Sequence, residues 1–253
     1  METYSHEDIA ALEQTNWWYV SRRRLLTQLL KAYAPRKVKS ALDLGCGVGS
    51  NIALLSPLAS ERIGLDISSD ALVYAKRREY TSFIEGSATA VPLPDDSIDL
   101  VLCTDVLEHV DDAQALREIH RVLAPGGIVA ATVPGFMSLW NENDDYSHHL
   151  RRYGHGELQR RFVERGFELH YVNFWNVLMV IPTWIAARLY RKKTRGEKLR
   201  NNLTRIPGWM NGILLALLTI ERAVGAGLSM PFGVSRVVIA RKPLRPHGAN
   251  ERR

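Results

Sequence analysis

The sequence predicts an α/β fold: a doubly wound sheet, parallel in its main part, with helices on both faces. Three observations predict it. Short apolar runs alternate with helical stretches from residue 38 to residue 134. The first run ends in a glycine turn, and the second ends in an acidic residue. The chain has 253 residues, 46% hydrophobic and 24% charged, enough for one large core.

The N-terminus, METYSHEDIAALEQ, is acidic and polar, without the basic and apolar regions of a secretory signal. NWWYVSRRRLLTQLL (16–30) follows as an amphipathic helix led by aromatics. It either packs Trp17 or Trp18 on the core or turns Tyr19 and Arg22, one turn apart, toward a site. VKSALDLG (38–45), ERIGLDIS (61–68), YTSFIEGS (80–87), SIDLVLCTD (97–105) and GGIVAATVP (126–134) read as strands. The fifth is entered through the turn Ala124-Pro125-Gly126-Gly127. GSNIALLSPL, SSDALVYAKRRE and DDAQALREIHRVL read as the helices between them. The second is capped by Ser68 or Ser69, the third by Asp111 or Asp112. GHGELQRRFVERG reads as a further helix, and FELHYVNF (167–174) and VSRVVIARK (234–242) as strands six and seven. The roughly sixty residues between these two strands are far more than an ordinary connection. The tail RPHGANERR is expected to be disordered.

Two cysteines, Cys46 and Cys103, form neither a disulfide framework nor a zinc pattern, which points to a reducing, cytoplasmic setting. The net charge of +6 is divided unevenly. Residues 1–146 carry 13 Lys+Arg against 21 Asp+Glu, a balance of −8; residues 147–253 carry 20 against 6, or +14. Such asymmetry suits a C-terminal part that meets anionic groups, or a soluble protein with one basic face.

Gly45, Gly47 and Gly49 close the first strand and open a helix, where backbone N–H groups and the helix dipole favour a ligand. Asp66 stands at the end of the second strand, where a carboxylate accepts from ribose hydroxyls. The nicotinamide fingerprint G-x-G-x-x-G is broken, because Ser50 stands where its third glycine belongs. Asp43, two residues before Gly45, either fixes the loop or holds an ammonium group.

DLGCGVGS, GLDIS, LPDDSIDLVLCTDVLEHVDD and VLAPGGIVAATVP together resemble the successive motifs of class I S-adenosylmethionine-dependent methyltransferases. More narrowly, the chain resembles the small-molecule group that includes the ubiquinone-biosynthesis O-methyltransferases. The resemblance implies a Rossmann-like sheet of seven strands, the last antiparallel. It covers a domain at 38–173 and 234–242 and suggests a lid at 1–37, while the residues themselves set apart a helical insertion at 174–233 and a tail at 243–253. It implies S-adenosyl-L-methionine as cofactor. Gly45, Gly47 and Gly49 would line the methionine part, with Asp43 near the amino group and Asp66 on the ribose. Ser87 and Ala88 would flank the adenine, and Thr104, Asp105 and Val106 would lie beside the methionine. Ser87 departs from the family, which often has an acid there.

Methyl transfer to a hydroxyl is helped by a general base. His109, after the fourth strand, either serves near the methyl group or orders its loop. SHHLRRY (147–153) follows the fifth strand, at the sheet edge where substrates bind. There His148 or His149 would act as base, and Arg151 or Arg152 would hold an anionic group; otherwise Arg152 and Tyr153 anchor the loop. Adjacent histidines without a nearby cysteine argue against a metal. The lack of a (D/N)PP(Y/F/W) motif and of interleaved aromatics argues against nucleic acid. In the insertion, FWNVLMVIPTWIAARLY (174–190) and IPGWMNGILLALLTI (206–220) fall short of the roughly 20 residues that span a bilayer. From Arg188 to Arg205 there are eight Lys+Arg and one acid, Glu197. The insertion therefore either lies on an anionic membrane or caps the pocket. The expected function is O-methylation of a small or lipid-linked acceptor, peripheral at the inner face of the membrane. The alternative is a non-enzymatic membrane-associated binding protein.

Overall fold

A computed structural model describes residues 6–190, 206–225 and 228–244. The basic run after Tyr190 and the tail RPHGANERR lie outside the described residues. Seven strands form one sheet in the order β3-β2-β1-β4-β5-β7-β6. They are β1 (Val38–Leu44), β2 (Ala59–Asp66), β3 (Ser82–Glu85), β4 (Ile98–Thr104), β5 (Leu123–Pro134), β6 (Glu168–Trp175) and β7 (Ser235–Arg241). β7 runs antiparallel to β5 and β6, and the other pairs are parallel. The strand order reverses between β1 and β4, so their carboxyl ends open a crevice.

The central strands are apolar on both sides because both faces are covered. Successive residues of β4 alternate between two cores. Val101 and Cys103 join Leu116 and Ile119 of α5 (Asp112–Val122) and Leu158 and Phe162 of α7 (Glu157–Glu164). Leu100 and Leu102 face Leu25, Leu26, Leu29 and Leu30 of α2 (Trp17–Tyr33). The aromatic-led helix is therefore a core helix along most of its length. Its N-cap Asn16 accepts from Trp18 N at 2.9 Å, and α1 (His6–Thr15) precedes it.

Ser68 caps α4 (Ser69–Ala75), and Asp111 caps α5, accepting from Ala71 N at 3.2 Å and Gln114 N at 3.1 Å. α3 (Ile52–Leu55) is a single turn. The expected turn at 124–127 is not a separate element. β5 begins at Leu123, and Gly126 (φ +83°) and Gly127 exchange hydrogen bonds with Lys242 at 2.8 and 2.9 Å. The ladder to β7 holds these residues in the sheet, and the register with β4 slips between Ile98 and Leu100 to absorb them.

Beyond β5 lies α6 (Glu142–Tyr146), closed by a capping box of Asn141 and Asp144. The insertion holds α8 (Val180–Tyr190) and α9 (Gly208–Gly225). Pro182 sits in the first turn of α8, where a missing N–H costs nothing. α9 leans on the N-terminal helices: Asn211 accepts from Trp17 N at 2.8 Å and donates to Thr15 O at 3.0 Å. Farther along, Arg222 donates to Gln28 at 2.8 Å. The N-terminal segment and the insertion are thus tied to each other.

Candidate active site

The glycine loop carries three glycines for three different reasons. A Cβ on Gly45 (φ +74°) would come within 2.4 Å of Val106 Cγ2. A Cβ on Gly49 (φ +83°) would crowd Ala75 Cα at 3.2 Å. Gly47 (φ +51°) has open space where its Cβ would stand, so its backbone is free to meet a ligand closely. Gly45 and Gly47 line the cavity above the sheet edge, while Gly49 packs against the end of α4.

Asp66 ties the loop to β2, its two oxygens accepting from Gly47 N at 2.7 Å and Ser68 N at 2.9 Å. Each oxygen retains a lone pair, and the residue is half-exposed. Beside it Ile67 is 75% exposed, an apolar surface next to a carboxylate. Ser87 is half-buried, with its hydroxyl engaged by Thr89 at 2.8 Å, and Ala88 belongs to the core.

Asp43 is fully buried and does not reach the cavity. Tyr80 donates to it at 2.6 Å and Asn51 at 3.2 Å. Burial pushes its pKa up to about 6, against the pull of those hydrogen bonds. Of its two expected roles, the geometry gives it the fixing of the loop. Its bonding partner Asn51 does line the cavity and also donates to Thr104 at 2.9 Å.

The cavity measures about 500 Å³, within the range of small-ligand pockets. Trp17, Trp18, Tyr19 and Arg22 form the wall contributed by α2. Arg22 is buried, ion-paired to Asp105 and stacked 4.8 Å over the Trp18 ring. Asp105 (φ +55°) also accepts from Thr132 at 3.1 Å. Val106 faces Gly45 rather than the cavity.

Glu108 and His109 follow in a single 3₁₀ turn, and both line the cavity. Glu108 is buried, and its Oε2 has no hydrogen-bond partner among the described residues. Burial pushes its pKa well up, and the nearby charge of Asp105 pushes it further. Burial also lowers the pKa of His109, aided by His149.

SHHLRRY divides sharply. His149 lines the cavity, with Nδ1 at 2.8 Å from Asp144 and its ring edge-on to His109 at 4.7 Å. His148 is exposed, at a positive φ of 56°, and does not line the cavity. Arg152 is bidentate on Asp144 at 2.7 and 2.8 Å and donates to Gly135 O at 3.2 Å. Burial pushes the pKa of Asp144 up, but hydrogen bonds from His149 and Arg152 outweigh it and hold it low. Arg151 pairs with Glu157 and Asp112, and the buried Tyr153 donates to Asp112 at 2.8 Å. Both arginines are spent on carboxylates, so the RRY part anchors the loop.

Sequence reasoning missed Glu108, Asn51 and Ser50. An acid inside the apolar run VLEHV was the one signal for the first. Glu108, His109 and His149 hold ligand atoms within 4.8 Å of one another, a grouping that could hold a metal ion. The expectation against a metal considered only adjacent histidines; folding pairs His149 with His109 instead.

Residues 42–131 match the family described as a methyltransferase domain. The chain is 30% identical over 165 residues to a probable S-adenosylmethionine-dependent methyltransferase of Mycolicibacterium smegmatis, covering 64% of this chain and 63% of that protein. It is 29% identical over 173 residues to the uncharacterized methyltransferase YcgJ of Bacillus subtilis, covering 62% and 68%. It is 30% identical over 167 residues to a malonyl-[acyl-carrier protein] O-methyltransferase of Dechloromonas aromatica, covering 62% and 58%. The chain spans between about a third and two thirds of the curated relatives it matches. The crystal structure of YcgJ superposes with a TM-score of 0.55 at 19% identity, covering 88% of this chain and 99% of that one. The [4+2]-cyclase SpnF shares the fold at a TM-score of 0.60 and 19% identity, covering 90% and 83%. Residues 42–131 thus match a methyltransferase domain, and the chain is similar in sequence to S-adenosylmethionine-dependent methyltransferases over about two thirds of its length.

Proposed function

We propose that this chain is an O-methyltransferase that uses S-adenosylmethionine and acts on a small acceptor with an apolar part. The single observation that carries the reading is the Asp144–His149 pair at the cavity wall. A low-pKa carboxylate on Nδ1 favours the tautomer with its proton there. Nε2 is then the lone-pair atom left for an acceptor hydroxyl, the same orienting logic as in a hydrolase triad.

The residues fit the cofactor. Asn51 Oδ1 and Glu108 Oε2 are cavity-lining atoms without partners among the described residues. With Glu13 they make an acceptor-rich wall suited to a ligand carrying ammonium and sulfonium charge. Asp66 retains acceptor capacity for ribose hydroxyls, and Ile67 offers an apolar face for a flat ring. When bound, S-adenosylmethionine would supply a methyl group on a cationic sulfur, the electrophile for an acceptor oxygen with the neutral thioether as leaving group. The protein's part is to align that oxygen, take its proton at His149 and keep water out. The walls contributed by α2 and α8 serve the last task.

The malonyl-[acyl-carrier protein] O-methyltransferase relatives support oxygen as the accepting atom. The motif run at 38–173 supports a place near the ubiquinone-biosynthesis enzymes, whose likeness suggests a lipid-linked acceptor at the inner membrane face. The test is transfer of a labelled methyl group to small-molecule and lipid extracts. Wild-type protein should label an acceptor and His149→Ala should not; absence of any label in either extract would sink the reading.

A further inference from the structure

The outer faces of the two insertion helices are apolar and exposed. α8 buries only Ala187, and α9 only Leu218. Ten large apolar side chains of these helices are exposed, led by Ile181 at 71%, Trp209 at 68% and Ile220 at 63%. Single exposed apolar residues are ordinary on a protein surface. A cluster of them on one helix face normally meets an apolar surrounding.

Charge, aromatic placement and length decide what that surrounding is. α8 has no carboxylate, and α9 has one, Glu221. Glu221 is turned inward, accepting from Val177 N at 2.9 Å and Leu178 N at 3.3 Å. The outer faces of both helices therefore present no negative charge. By sequence, residues 191–205 that join them carry seven Lys+Arg and one acid. Trp184 and Trp209 are both exposed, and the Arg188 guanidinium lies 4.6 Å over the Trp184 ring. Tryptophan and arginine side by side suit the boundary between headgroups and hydrocarbon. Among the described residues no helix is long and apolar enough to cross a membrane, so these helices would lie along its surface. A protein partner would need polar groups at its rim, and these faces offer hydrocarbon beside cationic charge.

We infer that the outer faces of α8 and α9 dock on an anionic lipid surface, and that the methyl acceptor is an amphiphile drawn from it. Met179, Thr183 and Ile206, at the roots of the same elements, line the cavity that holds His149. An amphiphile can keep its tail in lipid while its hydroxyl enters past these residues. The acceptor half of the inference rests on the methyl-transfer reading; the docking half does not.

The experiment uses the full chain with vesicles of phosphatidylcholine alone or mixed with phosphatidylglycerol. Wild-type protein should sediment with the mixed vesicles and shift its tryptophan emission to the blue. The quadruple variant Ile181→Gln/Leu189→Gln/Ile213→Gln/Ile220→Gln should bind them roughly tenfold or more weakly and titrate S-adenosylmethionine as wild type does. Labelled methyl should appear in lipid presented in the vesicles. Wild-type protein that ignores both vesicles, or a variant that binds like wild type, overturns the docking. A wild-type dimer that the variant abolishes, without vesicle binding, gives the face to a second copy and also overturns it. Label confined to the aqueous extract overturns the amphiphilic acceptor. Vesicle binding with no titratable S-adenosylmethionine overturns the methyl-transfer reading and leaves the docking supported.

Discussion

The proposed function gives Asp66, beside the glycine loop, the holding of cofactor and His149, at the cavity wall, the reaction, and single substitutions separate the two. Asp66→Ala removes a charge-assisted acceptor worth about 1.5–3 kcal/mol, so S-adenosylmethionine affinity should fall about ten- to a hundredfold by calorimetry. Unchanged affinity would remove Asp66 from the cofactor site. His149→Ala should lower kcat by roughly 10²–10⁴ and leave cofactor affinity alone. Turnover should also survive a chelator; loss on chelation, restored by a divalent ion, would give Glu108, His109 and His149 to a metal instead. Asp43 makes a prediction about pH. Its pKa is raised in the folded state to about 6 from an ordinary 3.8, so the folded protein holds a proton that the unfolded chain has lost. Stability from this group is full below the lower value and falls as pH rises through the higher one, by about 3 kcal/mol in all. Asp43→Asn should flatten that decline between about pH 4 and 6 in urea titrations. A variant with the wild-type pH profile would show that Asp43 is ionised at no cost.

At the scale of elements, the leucines of α2 hold that helix in the core, and polar ties join it to its neighbours. Arg22 joins α2 to the loop after β4, and Asn211 joins α9 to the start of α2. Breaking a buried ion pair from one side leaves the other charge stranded, which costs roughly 3–5 kcal/mol. Arg22→Ala should approach that loss in urea unfolding, moderated by the Thr132 hydroxyl that still reaches Asp105. Arg22→Ala/Asp105→Ala should recover part of it, since no unpaired charge remains. A double variant less stable than the single would mean that Arg22 acts through its packing on Trp18 and Tyr19.

Over the whole molecule, charge and greasiness are segregated together. The −8 half contains the glycine loop and most of the sheet, and the +14 half contains the insertion. Attraction of the basic half to an anionic surface is screened over about 8–10 Å at physiological salt, whereas apolar contact is not. Raising salt should therefore release only a fraction of the protein from mixed vesicles in sedimentation. Complete release would leave the α8 and α9 faces no part in docking, and no release would leave the basic residues none.

What the sequence determined by itself was the layered sheet and the place of the glycine loop. Both follow from local patterns: alternating apolar runs, a glycine turn at one strand end and an acid at the next. Ser68 and Asp111 were legible as caps because a cap is a contact within three residues. The turn at 124–127 was misread because a distant ladder to Lys242, invisible locally, holds it in β5. Only the tertiary structure separated His149 from His148, since neighbours in sequence at a positive φ point to different surroundings. It also brought Glu108, His109 and His149 to one wall, spent both arginines on carboxylates and buried Asp43 behind Asn51. Those outcomes depend on which chain segments the sheet brings side by side at its carboxyl edge, a long-range consequence that no local pattern encodes.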